Sequence, residues 1–260
     1  MSVQLRGRVA LVTGSSRNLG GTLATTLAEA GAQVAVHYNH SPERAQQVAQ
    51  HITAAGGVAE VFGADVADAN AVGRLADEVL ERFGQVDILV NNVGPYSDLP
   101  FTRLPVETWD AVFNTGVRAA YLLAQRLTPG MRERGWGRIV NVSAVSALVR
   151  VHSIYGLSKA ALIHLTEALA LELAPEVAVN AIAPGQIEES EEIDELDPTY
   201  KSRLRDATPT RRLVTRAEIA ETVALLCSDR LPSLTGQTLV LDGGWSLPVG
   251  RATPTIGTVM

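Results

Sequence analysis

The sequence predicts an α/β fold, a doubly wound parallel sheet of about seven strands with helices on both faces. Short β-branched runs alternate with longer amphipathic stretches along the whole chain. The runs are apolar throughout, not at every second residue, as strands covered on both faces must be. The first run leads into a glycine-bearing turn that opens directly into a helix, the kind of junction that can receive an anion. With 260 residues, 46% of them apolar, one domain over residues 1–260 can bury a full core.

The elements follow in order. Val9 to Thr13 is the first strand, with a helix over 19–30. Gln33 to Tyr38 and Val58 to Phe62 are the next strands, followed by helices over 42–55 and 69–83. Val86 to Val90 precedes a long helix from about 106 to 134. Arg138 to Val142 comes next, and the apolar spacing from Leu157 to Leu173 marks a helix. Val177 to Ile182, a helix near 216–228 and Gln237 to Leu241 complete the pattern. Ligands of such sheets lie outside the carboxyl ends of the strands, so the segments just after each strand matter most.

Composition narrows the function. The chain has 22 basic and 28 acidic residues, a net charge of −6 and a pI near 5.4. Its arginines are scattered, which argues against nucleic acid and for small-molecule chemistry. Cys227 is the single cysteine; it excludes an internal disulfide and fits a reducing compartment. The N-terminus carries no charged stretch followed by an apolar targeting core, and no uncharged apolar run is long enough to span a membrane. A soluble, cytoplasmic protein with no membrane or metal partner is expected.

After the first strand comes Thr13-Gly14-Ser15-Ser16-Arg17-Asn18-Leu19-Gly20-Gly21. Glycines here let the backbone approach a pyrophosphate, which then sits on amides at the helix N-terminus. Asn18 stands where glycine is usual, and asparagine tolerates positive φ better than most residues. The second strand ends in His37-Tyr38-Asn39-His40-Ser41, with no acid to accept the adenine-ribose hydroxyls. That absence, with Arg17 as a phosphate partner, points to NADP(H) over NAD(H).

Only two basic residues are lysine, and one of them, Lys159, lies four residues after Tyr155. On a helix that step puts phenol and ammonium on one face, a turn apart. A nearby cation favours phenolate, so the tyrosine can exchange protons near neutrality. A guanidinium is larger, planar and always charged, and fits the task less well.

These residues, with others in order along the chain, resemble the short-chain dehydrogenase/reductase family, in the subgroup that includes 3-oxoacyl carrier-protein reductases. The matching motifs are Thr13-Gly14 to Gly20, Asp65-Val66, Asn91-Asn92-Val93-Gly94, Tyr155-x-x-x-Lys159, Pro184-Gly185-Gln186-Ile187 and Gly236 to Gly244. The resemblance implies an NAD(P)-dependent oxidoreductase on a seven-stranded Rossmann-type sheet, assembled as a homotetramer. It also implies that Asp65 and Val66 hold the adenine, that Asn92 and Gly94 line the cofactor cleft, and that Ile187, after Pro184 and Gly185, contacts the carboxamide end. Lys159 would hold the nicotinamide ribose and lower the pKa of Tyr155.

The family's remaining two site residues are not matched. Its asparagine, seven residues after the tryptophan of the fourth helix, falls on Gly116 counted from Trp109, and its serine falls on Ala144. Asn114 is two residues from the first position, about 200° round a regular helix. Ser143 takes the serine's role only with a one-residue shift, and Ser146 or His152 are other possible donors. Two readings follow: a carbonyl reductase or alcohol dehydrogenase with an altered site, or a cofactor-binding protein that has lost catalysis.

The family's substrate lid corresponds to about 188–212. It opens with Glu188 to Asp197, seven acids in ten residues. Such charge would disfavour anionic carrier-linked substrates and favour neutral ones, unless the acids are solvated and paired with Lys201, Arg203 and Arg205. Residues 247–260 form a tail, either a loose end or an arm onto another subunit.

Overall fold

The computed structural model describes residues 3–149, 152–190 and 198–247. Seven parallel strands form one sheet in the order β3-β2-β1-β4-β5-β6-β7. They are β1 Val9–Val12, β2 Gln33–Tyr38, β3 Val58–Gly63, β4 Ile88–Asn91, β5 Gly137–Val142, β6 Val177–Pro184 and β7 Thr238–Leu241. The helices are α1 Asn18–Glu29, α2 Pro42–Ala54, α3 Ala69–Phe83, α4 Val106–Phe113, α5 Ala119–Glu133, α6 Ile154–Leu173, α7 Pro198–Ala207 and α8 Arg216–Leu226.

Two apolar layers explain the continuous strand runs. Ala10, Val12, Val34, Val36, Val140 and Val142 face one layer, closed by α1, α2 and α8 through Leu23, Leu27, Ile52, Ile219 and Val223. The intervening Leu11, Ala35, Leu89 and Ile139 face the other, closed by α3, α5 and α6 through Leu75, Val79, Leu123, Leu127 and Leu173. Successive strand residues point to opposite faces, so neither set can be polar. The strand order reverses between β1 and β4, and the crevice at their carboxyl ends is where such a sheet binds ligands.

At the opposite edge, buried Asp87 accepts from the Val9 amide at 2.9 Å and faces Arg134 at 3.3 Å. Trp136 lies there too, between the guanidinium groups of Arg8 and Arg138, and donates its indole N–H to Asp229. That places it far from the ligand edge.

The structure corrects the helix expected over 106–134. A π-helical turn, Asn114–Arg118, separates α4 from α5; such turns insert one residue into a helix and recur at functional sites. Helix α6 starts at Ile154, three residues before the expected Leu157, because Ser153 caps it by accepting from the Gly156 amide at 3.0 Å. The residues following the acidic lid's first three, 191–197, and the tail from 248 lie outside the described residues. Of the acids inside them, Glu188 pairs with Arg205 and Glu189 accepts from the Arg216 amide at 3.0 Å.

Candidate active site

At the carboxyl edge, β1 delivers the glycine loop. Asn18 adopts φ 49°, the left-handed conformation asparagine tolerates, and the chain turns there into α1. A side chain at Gly20 would collide with the Gly14 carbonyl and stand 2.9 Å from Asn92 Nδ2. The loop can therefore present bare backbone only if position 20 is glycine. Asn92 braces it by donating to Thr13 O at 3.0 Å, while its amide donates to Thr13 Oγ1 at 2.9 Å.

This loop forms one wall of a cleft of about 620 Å³. Gly14, Ser16, Arg17, Asn18, Leu19 and Gly20 line it from the first junction, and Asn39, His40 and Ser41 from the second. Asp65 and Val66 line it from the third, and Asn92 and Gly94 from the fourth. The Asp65 carboxylate accepts from the Ala67 amide at 2.9 Å, so it shapes its own turn. A volume of this size suits an extended cofactor, and the loop's backbone suits its pyrophosphate. The residues present fit a nicotinamide dinucleotide.

Lys159 lies where the cleft meets α6. It is 3% exposed, donates from Nζ to Val142 O at 2.8 Å, and stands so close to Gly94 that a Cβ there would be 2.8 Å from Nζ. Burial lowers its pKa to about 8, because removing an ammonium from water disfavours the charged form. Tyr155, one turn earlier, is half-buried, with its ring centroid 5.4 Å from Nζ. Tyr96, from the loop after β4, meets that ring edge-on at 5.3 Å and is itself 65% exposed.

A model for enoyl-(acyl carrier protein) reductases matches residues 14–246. The 3-oxoacyl-(acyl-carrier-protein) reductase FabG of Staphylococcus aureus is 39% identical over 238 residues, 90% of this chain and 96% of its own. The chain belongs to the short-chain dehydrogenase/reductase family. Among solved short-chain dehydrogenase/reductase relatives, a gluconate 5-dehydrogenase from Burkholderia cenocepacia J2315, in complex with NADP and tartrate, superposes with a TM-score of 0.87. It is 31% identical and covers 94% of this chain and 97% of its own. A 7α-hydroxysteroid dehydrogenase complexed with NADH and 7-oxo glycochenodeoxycholic acid gives 0.87 at 32% identity, covering 94% and 96%.

Against the family's motifs, the structure brings the first three and the Tyr155-Lys159 pair to one edge of the sheet. Pro184 ends β6 at the same carboxyl edge, with Gly185 and Ile187 just after it. Gly185 donates to Leu241 O at 2.9 Å, and Ile187 bridges to Val214 while packing on the core. Ser143 is 3% exposed and donates its hydroxyl to Lys159 O at 2.9 Å. Ala144 is half-buried in extended conformation. Ser146 keeps an enclosed hydroxyl with no hydrogen-bond partner among the described residues, and His152 is exposed. Gly116 is buried, and a Cβ built on it would face Ser158 Oγ at 3.9 Å.

Sequence reasoning did not assign His37, Tyr38, Val93, Pro95, Ala111 and Thr115 to the cleft, all of which line it. The first three stood within motifs already marked. Ala111 and Thr115 carried no signal, because they reach the cleft only where the helical run passes into the π turn.

Proposed function

We propose that the protein is an NADP(H)-dependent oxidoreductase that interconverts a carbonyl and a secondary alcohol, with Tyr155 as general acid/base and Lys159 tuning it. The observation that carries this reading is the position of Lys159, buried against Gly94 at the end of the dinucleotide-shaped cleft and one helical turn from Tyr155. When bound, the nicotinamide supplies or accepts the hydride. In the reductive direction the Tyr155 hydroxyl gives its proton to the carbonyl oxygen, and the nearby cation lowers the cost of the phenolate left behind. An ammonium with a pKa of about 8 is mostly charged at neutral pH, and one of its three donors is committed to Val142 O. The others would hold the nicotinamide ribose.

NADP(H) is preferred because β2 delivers Asn39, His40 and Ser41 to the cleft that Arg17 also lines, with no acid in that segment after β2 to repel a 2′-phosphate. The relatives support both dinucleotides, one solved with NADP and another with NADH. We propose further that the substrate is a neutral carbonyl compound, on the charge the 188–197 segment keeps beyond the Glu188–Arg205 pair, and that efficient turnover of acetoacetyl-CoA would overturn this. Subunits would associate as a homotetramer. A groove of about 780 Å³ between α5 and α6, lined by Tyr121, Gln125 and Leu169, supports a helix-pair interface, and light scattering at 27.6 kDa would contradict it. Cys227, buried with its pKa pushed up to about 12, is inert as a thiol and suits a cytoplasmic protein.

A second reading, cofactor binding without turnover, draws on Ser143. If its hydroxyl stays with the Lys159 carbonyl, the family's serine has no direct replacement at Ala144, and the substrate oxygen depends on Ser146. NADPH oxidation over a panel of neutral ketones, diketones, quinones and β-keto esters separates the readings. Turnover that disappears in Tyr155→Phe, with NADPH bound more tightly than NADH, is the expected result. Binding of NADPH with no turnover of any panel member favours the second reading.

A further inference from the structure

His37, near the carboxyl end of β2, is 1% exposed, and its polar atoms are all engaged. Its amide donates to Ser15 Oγ at 2.9 Å, and its carbonyl accepts from the Ser15 amide at 2.9 Å. Its Nδ1 accepts from the Gly14 amide at 2.9 Å, and Nε2 stands 3.0 Å from Ala64 O. An amide only donates and a carbonyl only accepts, so the two ring contacts demand a bare Nδ1 and a protonated Nε2. One neutral imidazole in one tautomer thus ties the first glycine of the phosphate loop to the end of β3, one residue before Asp65.

We propose that neutral His37 is the positioning residue of the cofactor cleft, and that its protonation loosens the glycine loop and weakens dinucleotide binding. The proposal rests on reading the cleft as a dinucleotide site. Protonation turns Nδ1 from acceptor to donor and sets two N–H groups against each other in a place closed to water. Burial opposes that change and holds the pKa of His37 below the ordinary histidine value of 6.5, so the loss falls in acid. Among the groups facing the same cleft, Asp65 favours the cation. Arg17 from the glycine loop opposes it, and Tyr38 and His40 face the same cleft. An imidazolium also attracts a pyrophosphate, which would act in the opposite sense. Both ring nitrogens point to backbone, however, so that attraction acts only through space, whereas the loop loses a buried acceptor outright.

The dissociation constant of NADPH, measured by fluorescence titration from pH 8 to pH 5 for the wild type and His37→Asn, tests the proposal. Asparagine can accept from Gly14 through Oδ1, the counterpart of Nδ1, and does not titrate. Every other group is common to the two proteins, so the difference between the two profiles belongs to His37. The wild type should weaken on the order of ten-fold more than the variant over this range. Parallel profiles, or a wild type that tightens more in acid, would overturn the proposal while leaving the cofactor reading intact. Absence of NADPH binding at pH 7.5 would remove both. Should the variant fail to fold, nitrogen-15 spectra of histidine-labelled wild type decide. One of the five imidazoles must persist as the neutral Nε2–H tautomer at a pH where exposed histidines carry charge. Five that titrate together would overturn the proposal.

Discussion

Tyr155 and Lys159 share a helix face, but their surroundings set them apart. The tyrosine is half-buried under Tyr96, while the lysine is enclosed with one backbone acceptor at 2.8 Å. Enclosing a charge is costly, and lowering the pKa from 10.5 to about 8 corresponds to roughly 3 kcal/mol at neutral pH. The sign follows from the depressed value. The folded state binds fewer protons than the unfolded chain between about 8 and 10.5, so stability rises with pH across that window and the full cost is present below it. Lys159→Met should therefore raise the melting temperature at pH 7. The lost bond to Val142 O gives back about 1 kcal/mol, so a gain of several degrees is expected at about 2–4 °C per kcal/mol. Calorimetry together with an NADPH oxidation assay should show a more stable, inactive protein. A lower melting temperature would mean that packing around Lys159 outweighs its buried charge.

At the scale of elements, the junction of α4 with α5 and the segment after β5 hold the departures from the family pattern. Angular arithmetic on a straight helix sets Asn114 about 200° from position 116, but the π turn over Asn114–Arg118 changes the register locally. It directs Thr115 into the cleft and Gly116 towards Ser158. If the altered site limits an active enzyme, Gly116→Asn with Ala144→Ser should raise turnover by as much as ~10²-fold, the magnitude of one restored donor to the reacting oxygen. Steady-state kinetics on the best ketone of the panel would measure it, and a binding protein without chemistry would gain nothing. The sequence did not reveal the π turn, which packs against α6, a contact that no local propensity encodes. The start of α6 was missed for a smaller reason: Ser153 is a good cap, but it precedes Ile154 and Tyr155, where the apolar spacing is not yet established.

Across the whole molecule, His37 links binding to stability. Its folded pKa is depressed by burial, so its contribution is fully present above 6.5 and is lost as pH falls through the folded value. Between pH 7 and pH 5 the cofactor-free wild type should lose more melting temperature than His37→Asn, by scanning calorimetry; equal losses would assign acid sensitivity to other groups. The alternation of elements, the parallel sheet, the glycine loop and the Tyr155-Lys159 spacing are all legible in the chain before it folds. Each follows from short-range rules: period-2 burial on both faces, the φ range of Asn18, and 3.6 residues per turn. Tertiary structure alone decided which residues meet. Ala111 and Thr115 enter the cleft, and Ser143 turns its hydroxyl to Lys159. His37 and Gly14 lie 23 residues apart and become hydrogen-bond partners only because β1 and β2 pair in register. Such contacts depend on strand order and helix packing, which are properties of the folded chain and leave no mark in any short stretch of sequence.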